Sequence, residues 1–245
     1  MTSCLHLPGN KEKVFNSLKT LFENETAWHH VTRYFLVNEY HCDNDARCVE
    51  DAVKRIQKLY PFLTVIQKDA HSVGQAESIN IILKLLKDGG EKYWMHWEES
   101  WLTKGPFLER VLGEMQNDPT LGQVQVAKGW MGLHNDSSGG IAKIKDSHVD
   151  AVMRSLGNSP VRHARWKHHV WPLYSLQPGI DRSSTVTNIG IMHPRHNANP
   201  RGKVDGAEFN FSHRWFCQGY YKAVLVPYVV FRAPNHISTK WLIKK

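Results

Sequence analysis

The chain has 245 residues, 41% of them apolar and 22% charged, a composition that suits a folded globular core and excludes a disordered or collagen-like chain. No run approaches the roughly 20 consecutive apolar residues of a bilayer span, and Met1-Thr2-Ser3-Cys4-Leu5-His6-Leu7-Pro8-Gly9 lacks the basic and apolar regions of a secretory signal. Thirty-one Lys and Arg against 23 Asp and Glu leave a formal charge of +8, which favours an anionic partner: nucleic acid, an anionic membrane surface or a phosphorylated small molecule.

In chain order, residues 1–4 form a short first strand. Apolar residues at Val14, Phe15, Leu18, Leu21 and Phe22 then recur at nearly the helical period and predict a helix over 14–31. Residues 33–40 read as a buried strand that ends in Asn38-Glu39. Ala46, Val49, Val53, Ile56 and Leu59 form one helical stripe over 45–60, which Pro61 interrupts before a strand at 62–67. A helix over 74–86, an aromatic strand at 93–97, a helix over 107–116 and a strand at 122–127 complete the alternation. Strands separated by helices of this length imply crossover units and a largely parallel sheet. Ligands of such sheets bind outside the carboxyl ends of the strands.

The last third is less regular. Residues 128–147, rich in Gly, Ser, Asp and Asn, read as a mobile loop, and 148–156 as a short helix. Residues 157–206 carry much Pro, Gly and His with little periodicity, and 220–231 return as a strand. No repeat or linker divides the chain, so one domain over 1–245 is expected. Cys4, Cys42, Cys48 and Cys217 have no zinc-like spacing and read as reduced thiols of a cytoplasmic protein.

The chemistry concentrates at strand ends: Asn38-Glu39, Lys68-Asp69, and Trp97-Glu98-Glu99-Ser100-Trp101. Clustered carboxylates at the mouth of an α/β crevice suit Mg²⁺ or Mn²⁺ bridging phosphates. The alternative is that Glu98 and Glu99 only open the next helix and favour its positive end.

Six short motifs in order sharpen this picture: Met1-Thr2-Ser3-Cys4, Val37-Asn38-Glu39, Tyr60-Pro61-Phe62, Lys68, Gly74-Gln75-Ala76-Glu77-Ser78-Ile79-Asn80, and His96-Trp97-Glu98-Glu99-Ser100-Trp101, with Gly122-Gln123-Val124 following. Together they resemble GT-A glycosyltransferases of the family-two-like kind, especially the small enzymes encoded by large algal and amoebal DNA viruses. The resemblance implies a GT-A, Rossmann-like α/β fold with a mostly parallel central sheet flanked by helices. Residues 1–127 would be the nucleotide-sugar-binding half, and 128–245 an irregular acceptor-binding half. It implies that Thr2, Ser3, Cys4, Asn38 and Glu39 hold the base and ribose, that Lys68 lies near the base or phosphates and Asn80 near the donor site. Glu98 and Glu99 would serve the donor, and Glu99, Ser100 and His236 would be the metal-side residues for Mn²⁺ or Mg²⁺. Two departures stand out: Ser100 replaces the family's last Asp, and Asn38-Glu39 replaces Asp-Asp. Lys and Arg side chains serving the diphosphate are the alternative to a metal.

In the second half, Trp171-Pro172-Leu173-Tyr174-Ser175-Leu176-Gln177-Pro178-Gly179 resembles the family's acceptor-pocket segment, and Asp205-Gly206-Ala207-Glu208-Phe209 its Phe-Glu segment. The resemblance therefore implies Glu208, then Asp205, as general base of an inverting transfer from a UDP- or GDP-sugar to a glycan or glycoprotein hydroxyl. Trp101, Trp171 and Ser175 are expected on the acceptor side. Trp97, Trp101, Trp130 and Trp171 are candidates to stack on sugars or to pack in the core.

Competing readings are a nucleotidyltransferase, a sugar-nucleotide-binding protein without turnover, and a nucleic-acid-binding protein using the basic and aromatic stretch 162–171. No nucleic-acid-binding module is recognisable in the sequence, so nucleic acid is not the expected partner.

Overall fold

The structure, a computed structural model, describes residues 1–5, 9–39, 46–72, 74–127, 140–143, 174–193, 206–226 and 228–233. Its first half follows the alternation expected from the sequence. Strands β1 (Thr2–Ser3), β2 (Tyr34–Asn38), β3 (Leu63–Gln67), β4 (Tyr93–His96) and β6 (Leu121–Gln125) are separated by helices α1 (Asn10–Asn24), α2 (Ala46–Leu59), α3 (Gln75–Gly89) and α4 (Leu108–Asn117). A three-residue strand absent from the sequence reading, β5 (Trp101–Thr103), lies between β4 and α4.

β1, β2 and β3 pair in parallel. The Thr2 N–H donates to the Trp97 carbonyl at 3.0 Å, and a parallel bridge joins Thr2 to Glu98, so β1 also lies beside the end of β4. Beyond β4 the order is β8 (Gly179–Arg182), β6, β9 (Tyr221–Val226) and β7 (Gly140–Lys143). β8 is antiparallel to both β4 and β6, whereas β6 and β9 are parallel, so β1, β2, β3, β4, β6 and β9 all run one way. β10 (Val230–Arg232) pairs antiparallel with β5 as a separate ribbon.

Packing explains the layers. Val14, Leu18, Leu36, Val49, Ile56 and Leu63 join α1 and α2 to β2 and β3. Leu21, Trp97, Phe107, Val111, Met115, Val124, Ile180 and Leu225 extend that layer under α1 and α4. On the opposite face Val37, Ile79, Leu83, Trp94, Tyr174, Phe211 and Trp215 are covered by α3, by α5 (Ser183–Thr187) and by α6 (Gly206–Phe216). The helical crossovers are what bring the carboxyl ends of β1, β2, β3, β4 and β6 to the same edge.

Several expectations need correction. The helix expected over 14–31 starts at Asn10 and stops at Asn24, because the Glu25 side chain turns away to bond the start of α4. A 3₁₀ turn, Trp28–His30, follows. The stretch 128–147, expected to be a loop, contains β7, and the irregular 157–206 contains β8 and α5. The single strand expected at 220–231 is two, β9 and β10, with Pro227 between them in sequence. The helix expected at 148–156 lies outside the described residues.

Candidate functional site

The ends of β1, β2 and β3 are held by side chains that bond across strands. Fully buried Asn38 accepts from the Ser3 hydroxyl at 3.0 Å and the Leu5 N–H at 2.9 Å through Oδ1, and donates to Gln67 at 2.8 Å through Nδ2. Glu39 follows, its N–H bonded to the Ser3 carbonyl at 2.8 Å. Its carboxylate pairs with Lys68 Nζ at 2.9 Å and accepts the Gly74 N–H at 3.0 Å. Lys68 Nζ also donates to the Gly74 carbonyl at 2.7 Å and the Ser78 hydroxyl at 2.9 Å. All three ammonium protons have partners, which ties β2 and β3 to the start of α3. Gly74 sits there at φ 98°, a conformation that a side chain would strain. Asn80, one turn along α3, exchanges both amide bonds with the Met192 backbone, at 2.9 and 2.7 Å, and so straps α3 to the segment after α5.

Glu98 and Glu99 do not open a helix. They form the turn between β4 and β5, and α4 begins eight residues after Ser100. Glu98 accepts from Gln75 Nε2 at 2.7 Å and from Trp101 Nε1 at 3.1 Å. Burial first, then the neighbouring Glu99, pushes its carboxyl up to about 7, against opposing pulls from Trp101, Arg232 and Gln75. Burial also raises the Glu99 carboxyl, with its own backbone and Lys13 opposing; Glu99 accepts a long 3.5 Å bond from Asn10. Ser17 supports the turn from α1: its hydroxyl donates to the Trp101 carbonyl at 2.7 Å and accepts from Trp97 Nε1 at 2.8 Å. Trp97 and Trp101 are buried and serve as packing residues. Ser100 is buried too, and its carbonyl accepts the Ala233 N–H at 2.8 Å.

Cys4 marks the convergence of these strand ends. Its thiol is pushed up to about 12, by burial first and then by Glu99, Glu39 and Glu98, with Lys68 opposing. Geometry brings the three acids there: the Glu39 N–H bonds the Ser3 carbonyl, Thr2 bridges to Glu98, and Asn10 Nδ2 reaches both the Cys4 carbonyl at 3.3 Å and Glu99 at 3.5 Å.

Across the edge stands Glu208, in the first turn of α6, accepting the Leu176 N–H at 2.8 Å. The Leu176 backbone lies against the ring of His96, two residues before Glu98. Ser175 is held by both ends of the Gln123 amide, at 2.8 and 3.0 Å, and its hydroxyl accepts the Gln177 N–H at 3.1 Å. Asp205, Trp130, Trp171, His236 and the basic stretch 162–171 lie outside the described residues; His236 follows Ala233 by three positions in sequence.

Two cations that the motifs did not single out flank the acidic turn. Arg232 is set by the β5–β10 register directly opposite Trp101 and covers its ring at 4.9 Å, within electrostatic reach of Glu98. Lys13, in the first turn of α1, bears on Glu99. Register alone brings Arg232 there, and a three-residue strand carries too weak a pattern to have revealed it. Among the described residues no three His, Cys, Asp or Glu side chains are grouped to hold a metal ion by themselves. Two adjacent, desolvated carboxylates nevertheless fit a hard divalent cation whose other ligands come from phosphate and water. A cavity of about 360 Å³ is lined by Phe22, Trp28, Phe35, Leu86, Trp94 and Leu112, with Thr2 and Trp97 also on its wall. No described helix is long and apolar enough to cross a membrane.

No protein-family profile matches the chain, and no curated protein matches its sequence. Its fold is shared with solved glycosyltransferases. A mannosyltransferase from Pyrobaculum calidifontis, PcManGT, in complex with GDP-Man and Mn²⁺, superimposes with a TM-score of 0.57 at 14% identity, over 99% of this chain and 58% of that one. GalNAc-T7 with UDP, GalNAc and Mn²⁺ gives 0.58 at 9% identity, over 90% and 41%. TarS of S. aureus gives 0.56 at 13% identity, over 95% and 35%. The chain thus spans 58% or less of the length of each. At these identities the likeness establishes the mixed α/β GT-A fold.

Proposed function

We propose that the chain is a glycosyltransferase that moves a sugar from a UDP- or GDP-sugar to a hydroxyl of a glycan or glycoprotein, with inversion at the anomeric carbon. The observation that carries this reading is the gathering of Glu39, Glu98 and Glu99 at the carboxyl ends of β1, β2 and β4, beside Ser3, Thr2 and Asn10, in a GT-A fold. The solved structures of that fold described above hold GDP-Man or UDP, and the crevice at the strand ends is where an α/β sheet offers a ligand site.

Thr2, Ser3, Cys4, Asn38 and Glu39 form the wall for the base and ribose. Lys68 contributes by fixing Glu39 and Gly74, since its ammonium is already fully engaged. Asn80 acts in the same indirect way through Met192. Arg232 and Lys13 are the side chains placed to take charge from the diphosphate. Glu99, with Glu98 beside it, would hold Mn²⁺ or Mg²⁺, which when bound neutralises negative charge on the leaving nucleoside diphosphate. Ser100, buried where the family pattern has Asp, adds little to such a site, and His236 is the sequence's remaining candidate for it.

Glu208 is the general base. It removes the proton from the acceptor hydroxyl as that oxygen bonds to the anomeric carbon, and the bond from that carbon to the diphosphate oxygen breaks on the opposite side. Asp205, in the same segment, is the second candidate. Ser175 and the 174–177 backbone border the acceptor side, with Trp171 preceding them in sequence. The reading keeps the reducing, cytoplasmic setting expected from the cysteine spacing.

The test is transfer by Glu208→Gln. Expected is a loss of at least 100-fold in transfer with nucleotide-sugar binding within about threefold of wild type, the usual scale of a lost general base. Full transfer by Glu208→Gln removes that residue from the chemistry.

A further inference from the structure

The sheet has a gap that none of the described residues fills. β1, β2 and β3 form one hydrogen-bonded sheet, β4, β8, β6, β9 and β7 another, and the two residues of β1 lie between them. On one edge Thr2 lies opposite Val37 of β2. On the other it bridges to Glu98 and donates its N–H to the Trp97 carbonyl, just past the end of β4. Toward their amino ends β2 and β4 both outrun β1, reaching back to Tyr34 and Tyr93. The cavity of about 360 Å³ lies between them, with Tyr34, Phe35, Tyr93, Trp94 and Met95 on its wall. Leu21 and Phe22 of α1 and Leu112 of α4 close one face, and Ile82 and Leu86 of α3 the other.

The ladder along this edge of β2 breaks off in mid-course. The Val37 N–H donates to the Met1 carbonyl at 2.8 Å, and the Met1 amino group donates to the Phe35 carbonyl at 2.7 Å. A residue bonded to both neighbours of the residue opposite is the parallel-strand pattern, so the amino group stands where a peptide N–H belongs. An ammonium suits that place poorly: burial pulls it down to about 5. A peptide N–H makes the same bond without a charge to desolvate. Counting back from Thr2, opposite Val37 and Glu98, the three positions before Met1 face Phe35, Tyr34 and Arg33 on β2 and His96, Met95 and Trp94 on β4. Three extended residues reach roughly 10 Å. Their side chains point to alternate faces, and both faces of the cavity are apolar.

We propose that the gap is a strand site: it takes an extended apolar polypeptide segment joined to the Met1 nitrogen, which lengthens β1 backwards and makes the two sheets one. A parallel strand buried on both faces is apolar throughout, and Val, Ile and Leu suit it. The occupant is polypeptide because both walls are strand edges whose backbone groups stand in register. Val37 N–H and the Trp97 carbonyl already bond toward β1, so the Phe35 and Met95 N–H groups, two residues earlier on each strand, face the gap and gain carbonyl partners from the segment. With the segment in place β1 is bonded along both edges, which anchors Thr2 and Ser3 at the crevice.

The proposal does not depend on the glycosyltransferase reading, and its test needs no transfer assay. Three forms are compared: the chain beginning at Met1, the chain with Ser-Val-Ile-Val placed before Met1, and the chain with Ser-Gly-Ser-Gly placed there. Backbone hydrogen exchange is followed by NMR in each. Expected with the apolar segment is exchange at the Phe35 and Met95 amides slowed at least about tenfold relative to both other forms. Exchange as fast with Ser-Val-Ile-Val as in the chain beginning at Met1 overturns the proposal. Equal slowing by Ser-Gly-Ser-Gly overturns it too, because the gap would then not select an apolar strand. If the Ser-Gly-Ser-Gly form does not fold, the chain beginning at Met1 remains the reference.

Discussion

Removing the carboxylate of Glu25 should unfasten the layer that carries the acidic turn. Glu25 ends α1 and is 3% exposed. One of its oxygens accepts the Thr26 and Ala27 N–H groups at 2.8 and 3.0 Å; the other accepts those of Phe107 and Leu108 at 2.7 and 2.9 Å. The last two open α4, whose own N-cap residue supplies no side-chain bond. The carboxylate thus caps a helix 82 residues away and sits at its positive end. Glu25→Ala strands three buried donors, those of Ala27, Phe107 and Leu108, and exposed Thr26 regains water. At about 1–3 kcal/mol per stranded buried group, reduced by any water that enters the vacated space, the cost is about 3–5 kcal/mol. A domain of this size loses about 2–4 °C per kcal/mol, so the melting temperature should fall by about 6–20 °C. Glu25→Gln keeps one oxygen but turns an NH₂ toward two donors, and should lose about 2–3 kcal/mol. Urea denaturation monitored by tryptophan fluorescence reads both variants. Either variant within about 0.5 kcal/mol of wild type refutes this reasoning.

Three further outcomes follow from the same contacts. Gly122→Ala would set a Cβ 2.6 Å from the Trp215 ring and 2.8 Å from Tyr220 Cβ, so differential scanning fluorimetry should show destabilisation of about 1–3 kcal/mol. His96 is held neutral, pulled from 6.5 to about 3 chiefly by burial, then by the N-terminal amine, with Leu176 opposing. Between those values the unfolded chain binds the extra proton, so this residue's contribution makes stability fall as pH drops from about 6.5 toward 3, by up to about 1.4 kcal/mol per pH unit. A His96→Gln variant should flatten that acid limb of a urea titration, and an unaltered limb would contradict the assignment. Arg232→Ala should weaken nucleoside-diphosphate binding about tenfold in calorimetry while changing stability by less than about 1 kcal/mol, since Arg232 is exposed and stacks only on Trp101.

The first half was legible because its elements are long and periodic. The stripe Ala46, Val49, Val53, Ile56, Leu59 became α2, and the apolar runs 33–40 and 62–67 became β2 and β3. Ser3, Asn38, Glu39, Glu98 and Glu99 lie near one another because a parallel sheet collects its strand ends at one edge. Their chemistry was less legible: Lys68 and Asn80 turn out to bond protein groups, and Trp101 packs in the core. Local pattern also failed wherever tertiary contact decides. β8 reads Gly-Ile-Asp-Arg, with Gly179 required because a Cβ would lie 2.9 Å from the Val124 carbonyl, and Asp181 is tolerated only beside Gln123 and Lys222. α5 is five residues of Ser, Thr and Val, too short for a helical period to show. The early end of α1 is set by Glu25 reaching Phe107, a contact that no window of sequence contains.

Whether the crevice at β1, β2 and β4 takes a nucleotide sugar is tested most directly by titrating UDP- and GDP-sugars into the protein in a calorimeter, with and without Mn²⁺. Expected is saturable binding to one nucleotide class, weakened at least tenfold by Glu99→Ala. Folded protein that binds neither class under either condition, while retaining salt-sensitive binding to an oligonucleotide, would contradict the glycosyltransferase reading and favour the nucleic-acid one.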